Sequence, residues 1–368
     1  MSRQTSERPG AGSSLRVRAG DCVEVRSKEE ILASLDEDGA IDRLPFMPEM
    51  LEHCGKRFRV DKRADKTCDT IDYRGSRRMY DTVHLQGARC NGAAHGGCQA
   101  GCLMFWREAW LKRVDQGEMD LGGASTGTDA GHLSVRSTTE WQTLERLARQ
   151  PGESDDGVTR YRCQAPELLR ASSPMPWWDV RQYWRDVRSG NVRLGAVVRA
   201  GLFRLYCKLL EVGGYRALIR SYNRLQGWRG GTPYPYVSGT LDVTPRATLD
   251  LQPGELVRVK SQEEILNTVN KRNRNQGLSF DPEMVRYCSG VHRVLARVER
   301  IIDERTGKML EMKRDCIILE GVYCRAEYSN NRLFCPRSLY PFWREIWLQR
   351  VEGGAPGETT RPRVQGPN

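Results

Sequence analysis

At 368 residues, with 39% hydrophobic and 29% charged residues, the chain has a globular composition and is long enough for two or three domains. That composition excludes wholesale disorder, and the absence of any apolar run near the ~18–20 residues of a spanning helix argues against an integral membrane protein. A net charge of +11 points to an anionic partner (nucleic acid, a phosphorylated ligand or a membrane surface), against the plainer reading of a solvated arginine-rich face.

Residues 1–18 begin with MSRQTSERPGAGSS, which lacks an apolar core and reads as a disordered tail rather than a secretion signal. The expected compartment is a reducing cytoplasm. There the twelve cysteines serve as ligands, reactive thiols or small core residues rather than disulfides.

A first module covers residues 19–115. Val23 and Val25 alternate with polar residues, as in a half-buried strand. Ser27, with Glu30 three residues on, forms a capping box for a short helix through Leu35. Pro48 suits the start of a helical turn. KRFRVDKR and RRMYDTVHLQG alternate again and predict strands. A cysteine-rich elbow follows, Cys90 to Cys102. FWREAWLKRV then reads as a closing helix, with Trp106 and Trp110 on one face packed against the barrel. Arg107 and Glu108 read as a surface pair of little worth.

Residues 116–138 are rich in Gly, Ser and Thr and read as a linker. Residues 139–231 read as a basic, all-helical region. Leu194, Val197, Val198, Leu202, Leu205 and Leu209 share one face there, and Gly213–Gly214 break the helix. Arginines such as Arg181, Arg185, Arg199 and Arg204 interleave with Trp177, Trp178, Trp184 and Tyr206. Such a pattern fits phosphates and bases, a membrane interface, or a solvated helical insert. Residues 232–252 form a Pro- and Gly-punctuated connector, 253–352 a second module, and 353–368 a flexible tail.

The second module repeats the first at a constant offset, Gly20 falling on Gly254 and Cys90 on Cys324 without a gap. Ser27/Ser261, Glu30/Glu264, Pro48/Pro282, Cys54/Cys288 and Val60/Val294 are among the matched pairs. After three inserted residues Cys98 meets Cys335, and FWREAWLKRV meets FWREIWLQRV. One repeat this long, interrupted by a helical insert, is a domain duplication and not a solenoid. Short strands, a small helix between the first two, and the FMPEM and FDPEM segments resemble an SH3-like small barrel. The arrangement is also similar to uncharacterised bacterial proteins of the same build. The resemblance implies an α+β fold of two SH3-like modules with C-terminal helices flanking the central helical region. It implies no activity, since small barrels host many functions.

The chemistry-bearing residues gather in the elbow, where Cys90, His95, Cys98 and Cys102 follow the spacing C-x4-H-x2-C-x3-C. Soft sulfur and imidazole donors at this density suit tetrahedral zinc, or an iron–sulfur cluster if only cysteines bind. Gly96, Gly97 and Gly101 let the backbone wrap an ion. The expected ligands are Cys68, Cys90, Cys98 and Cys102, with His95 and Cys54 in reserve. A redox thiol pair and buried apolar cysteines are the competing readings. His84 shares the strand parity of Cys90. The second module lacks counterparts of Cys68, His95 and Cys102, and Cys316 is its candidate fourth ligand. Two functions follow: an accessory zinc protein whose modules dock a protein partner or anionic ligand, or an enzyme with one metal- or thiolate-dependent active site in the first module.

Overall fold

Alternation at the start of the first module gives β1 (Cys22–Val25), with Val23 and Val25 fully buried. Ser27 then caps α1 (Lys28–Leu32): its hydroxyl accepts from the Glu30 N–H at 3.3 Å, and the Glu30 carboxylate accepts from the Ser27 N–H at 3.0 Å. Pro48 opens a 3-10 turn, Pro48–His53. Then come β2 (Arg57–Arg63), β3 (Lys66–Cys68), β4 (Ser76–Arg78), β5 (Thr82–Arg89), β6 (Leu103–Arg107) and β7 (Leu111–Arg113). The computed structural model describes residues 15–72, 75–115, 135–150, 157–212, 215–329 and 331–351. Residues 1–14 of the expected tail 1–18, 116–134 of the expected linker and all of 353–368 lie outside these residues, whereas Val17 of the first tail is fully buried.

The fold is mixed α+β, with several antiparallel sheets. Strands β6-β5-β2-β1-β7 make a five-stranded antiparallel half-barrel. A register shift between Val60 and Lys62 on β2 is a bulge of the kind that bends a sheet. FWREAWLKRV is therefore not the closing helix its spacing predicts. It is the end of β6, one 3-10 turn (Glu108–Trp110) and β7. All five residues of β6 are buried, so the strand shows no alternation, and a short apolar run of this kind imitates a helix.

The centre contains α2 (Val135–Ala148), β8 (Arg149–Gln150), β9 (Arg160–Tyr161), β10 (Ser173–Met175), α3 (Arg181–Arg188), α4 (Leu194–Val212) and α5 (Tyr215–Trp228). It is not all-helical. Pro166 opens a 3-10 turn, and Pro174 lies in β10, which pairs with β4, where a helix interior could not hold a proline. Helix α2 begins inside the expected linker, at Val135.

The second module supplies β11 (Leu256–Val259), α6 (Gln262–Leu266), β12 (Val291–Arg297), β13 (Arg300–Ile302), β14 (Met309–Glu311), β15 (Ile317–Leu319) and β16 (Leu348–Arg350). Its sheet order β15-β12-β11-β16 repeats β5-β2-β1-β7. The registers repeat as well: Val23 faces Arg113 where Val257 faces Arg350, and the bulge recurs between Val294 and Ala296. Here too the expected closing helix is a 3-10 turn, Glu345–Trp347, leading into β16.

Two compact units result. One joins residues up to Gly213 with Arg300–Glu311 and Arg325–Leu339; the other joins Gly214–Glu299, Met312–Cys324 and the residues from Tyr340 on. In each unit the Trp-Arg-Glu motif is a buried clasp and not a surface pair. Trp106, Trp110, Trp343 and Trp347 are fully buried. Glu108 accepts from the N–H groups of Arg16 and Val17 and from Arg63; Glu345 accepts from those of Leu249, Asp250 and Leu251 and from Arg297. Arg107 donates to the carbonyls of Ile41, Asp42 and Tyr80, as Arg344 does to those of Asn275, Gln276 and Asp315. Buried charges need partners: the carboxylates have Arg63 and Arg297, and the guanidinium groups of Arg107 and Arg344 are satisfied by backbone carbonyls.

Candidate metal centre

The elbow joins β5 to β6. The Cys90 N–H donates to the Cys102 carbonyl at 2.9 Å and closes its base. Inside it the N–H groups of His95 and Gly97 both donate to the Gly92 carbonyl at 3.0 Å. Gly92 has φ +71, and a Cβ there would lie 2.0 Å from the Cys98 carbonyl oxygen, so the turn requires glycine. Gly96, Gly97 and Gly101 are left-handed as well.

This wrapping leaves a cavity of ≈ 40 Å³ lined by four thiols: Cys90, Cys98, Cys102 and Cys163. Cys163 comes from the central region, just after β9, and is fixed by its neighbour. The Gln164 amide donates to the carbonyls of Phe105 at 2.9 Å and Pro45 at 3.1 Å, while its oxygen accepts from the Phe105 N–H at 2.8 Å. The side chain thus pairs with β6 as a strand would. Cys98 Sγ also accepts the Ile302 N–H at 3.4 Å.

Cys68 does not join this group. It is buried in β3, and its N–H donates to Cys335 Sγ at 3.1 Å. Cys335 matches Cys98 and Ile302 matches Cys68, so the same sulfur-to-amide contact occurs twice in one unit with the repeats exchanged. Cys54 ends the Pro48–His53 turn against the first core, where burial pushes its thiol up to about 11. In the second module burial pushes Cys288 and Cys316 up to about 12. Among the described residues these cysteines form no group of metal donors.

His95 lines the cavity, but both its ring nitrogens face oxygen. Nδ1 lies 2.7 Å from Glu49 Oε1 and Nε2 lies 3.3 Å from the Arg162 carbonyl. The Ala94 N–H donates to the same Glu49 oxygen at 3.0 Å. Burial, the largest single influence, would raise the Glu49 carboxyl, but the His95 hydrogen bond and charge and the backbone N–H donors together hold the group below its ordinary range. Glu49 Oε2 is buried without a hydrogen-bond partner. The pair therefore anchors the elbow to the Pro48–His53 turn. Glu49, Cys90 and His95 are the one set of donors among the described residues whose ligand atoms all lie within 4.8 Å of one another.

His84 is elsewhere, buried in β5. Its Nδ1–H donates to the Met104 carbonyl at 2.9 Å, and burial pushes its pKa down to about 3, so the ring is neutral.

Burial pushes the Cys102 thiol up to about 12 and raises those of Cys90 and Cys163 as well. A soft cation would have to displace these protons on binding, so loading is proton-coupled. Arg337 also lines the cavity. It is buried and donates to Glu304 Oε1 at 2.9 Å and Thr70 Oγ1 at 2.8 Å, so the charge it brings beside the sulfurs is largely ion-paired. No protein-family model matches the chain, and no curated protein is similar to it.

Proposed function

We propose that the first unit is an iron–sulfur protein whose cluster is held by Cys90, Cys98, Cys102 and Cys163. One observation carries this reading: four thiols from two distant parts of the chain line one cavity. A single tetrahedral zinc sits ~2.3 Å from each sulfur, which places its thiolates under ~4 Å apart. No three of these sulfurs fall within 4.8 Å of one another among the described residues. Four cysteines are the ligand set of an iron–sulfur cluster, which would supply one-electron chemistry when bound. Arg337 offsets part of the negative charge of the thiolates, and the Ile302 amide stabilises charge on Cys98.

Because the chain fills every ligand position, the metal offers no open site to a substrate. The role is that of an accessory electron carrier rather than a metal-dependent hydrolase. The duplicated sheets, each with a small helix after its first strand, support the reading of two SH3-like modules that dock a protein partner. Among the described residues no two cysteines are joined by a disulfide, which suits a reducing cytoplasm.

Zinc on Glu49, Cys90 and His95 is the second reading, favoured by their close spacing. The two readings need different residues. Metal analysis of anaerobically purified Cys163→Ser and Glu49→Gln proteins separates them. Loss of iron in the first with retention in the second supports the cluster; zinc retained in the first and lost in the second overturns it.

A further inference from the structure

Helix α4 has an apolar side that nothing in its own unit covers. Its inner face packs inward, with Leu210 1% exposed and Phe203 edge-on to Tyr328 at 5.5 Å. Its outer face carries Leu194, Val198, Leu202, Leu205 and Leu209 at i, i+4, i+8, i+11 and i+15, so the five lie along one stripe. Each is more than half exposed, Leu202 reaching 63%. An ordinary surface helix turns a polar face outward, and a contiguous apolar stripe marks an interaction site.

The flanking charge decides what covers the stripe. Arg193 and Arg199 are exposed on either side of it, and no acidic residue occurs from Arg193 to Leu210. A second copy of the helix would bring these arginines against their own kind. Nucleic acid would satisfy the arginines and leave five leucine and valine side chains in water. An anionic bilayer satisfies both, taking the stripe into its acyl boundary and the guanidinium groups among its headgroups. In the same unit Trp178 and Trp184 are 66% and 65% exposed, the residue type that favours membrane–water interfaces. No described helix is long and apolar enough to cross a membrane, so contact would be in the plane of the interface. We propose that α4 is an interfacial helix that docks the protein on an anionic lipid surface. This inference does not depend on the cluster.

The test is co-sedimentation of the full-length protein with vesicles of phosphatidylcholine alone and of phosphatidylcholine with phosphatidylglycerol, at low salt and at ~150 mM salt. The protein should bind the anionic vesicles and keep part of that binding in salt. Leu202→Glu/Leu205→Glu should weaken it about tenfold or more with unchanged circular dichroism, since both positions are exposed. Arg193→Gln/Arg199→Gln should weaken it at low salt and leave the salt-resistant part. Three results overturn the proposal: no binding to anionic vesicles at low salt, equal binding by wild type and the glutamate variant, or a dimer that the glutamate variant dissociates while vesicles are ignored by both.

Discussion

The buried clasp of the second module allows a direct energetic prediction. In Glu345→Gln the side chain keeps its shape and loses its charge. The native carboxylate is fully buried and accepts from the N–H groups of Leu249 at 2.6 Å, Leu251 at 3.0 Å and Asp250 at 3.1 Å, and from Arg297. Gln has one acceptor oxygen for those four donors, and its NH2 group faces N–H groups it cannot serve. Removing one partner of a buried ion pair costs ~3–5 kcal/mol, because the other charge remains uncompensated. A loss of that size lowers the melting temperature by roughly 10 °C. The control is Glu255→Gln, whose pair with Arg350 is partly exposed and is worth at most ~1 kcal/mol. Burial alone would raise the Glu345 carboxyl, but the amides of Leu251 and Leu249 and the Arg297 guanidinium hold it below its ordinary range. A carboxyl depressed in the folded state stabilises above its unfolded pKa of ~4.3 and loses that contribution as pH falls through the folded pKa. Glu345→Gln should therefore also flatten the acid limb of stability. Urea unfolding monitored by tryptophan fluorescence across pH reads both effects. A loss below ~1 kcal/mol, indistinguishable from Glu255→Gln, would refute the clasp.

The other expectations concern the first unit. Cys102→Ser and Cys163→Ser should each abolish iron binding while Cys68→Ser retains it, since Cys68 faces Cys335; metal analysis of the three variants decides, and equal iron in all three would contradict the assigned ligands. Gly92→Ala should fail to load metal, because its Cβ would collide with the Cys98 carbonyl at 2.0 Å, and wild-type metal content in this variant would refute that. His84 is neutral in the fold with a pKa of about 3, so on acidification the unfolded chain takes up its proton first. Stability should decline by up to ~1.4 kcal/mol per pH unit from its unfolded pKa of ~6.5 toward 3, and His84→Leu, compared by denaturant unfolding over that range, should remove that part of the slope.

The first half of each module was legible because its signals are local. Alternation in CVEV and LVRV, and the Ser27–Glu30 and Ser261–Glu264 capping boxes, need only neighbouring residues. FWREAW was misread because Trp106 and Trp110 stand four apart by chance of the 3-10 turn between β6 and β7. The worth of Glu108 and Glu345 was invisible because their amide partners lie more than ninety residues upstream, and Arg63 and Arg297 lie 45 and 48 residues upstream. The elbow was legible as a thiol cluster, and its glycines as the means of wrapping it. Its fourth sulfur was not. Cys163 sits alone in YRCQAPELL, and only the pairing of Gln164 with Phe105 brings it to the cavity. The spacing of Leu194, Leu202 and Leu209 predicted a helix face, but spacing cannot say whether that face turns inward or out.

The central claim is most directly tested by the iron and acid-labile sulfide content of the wild-type protein, purified without chelator and without oxygen. The proposed cluster predicts brown protein with iron and acid-labile sulfide in about equal amounts. Colourless protein that carries one zinc per chain, or no metal at all, would contradict it.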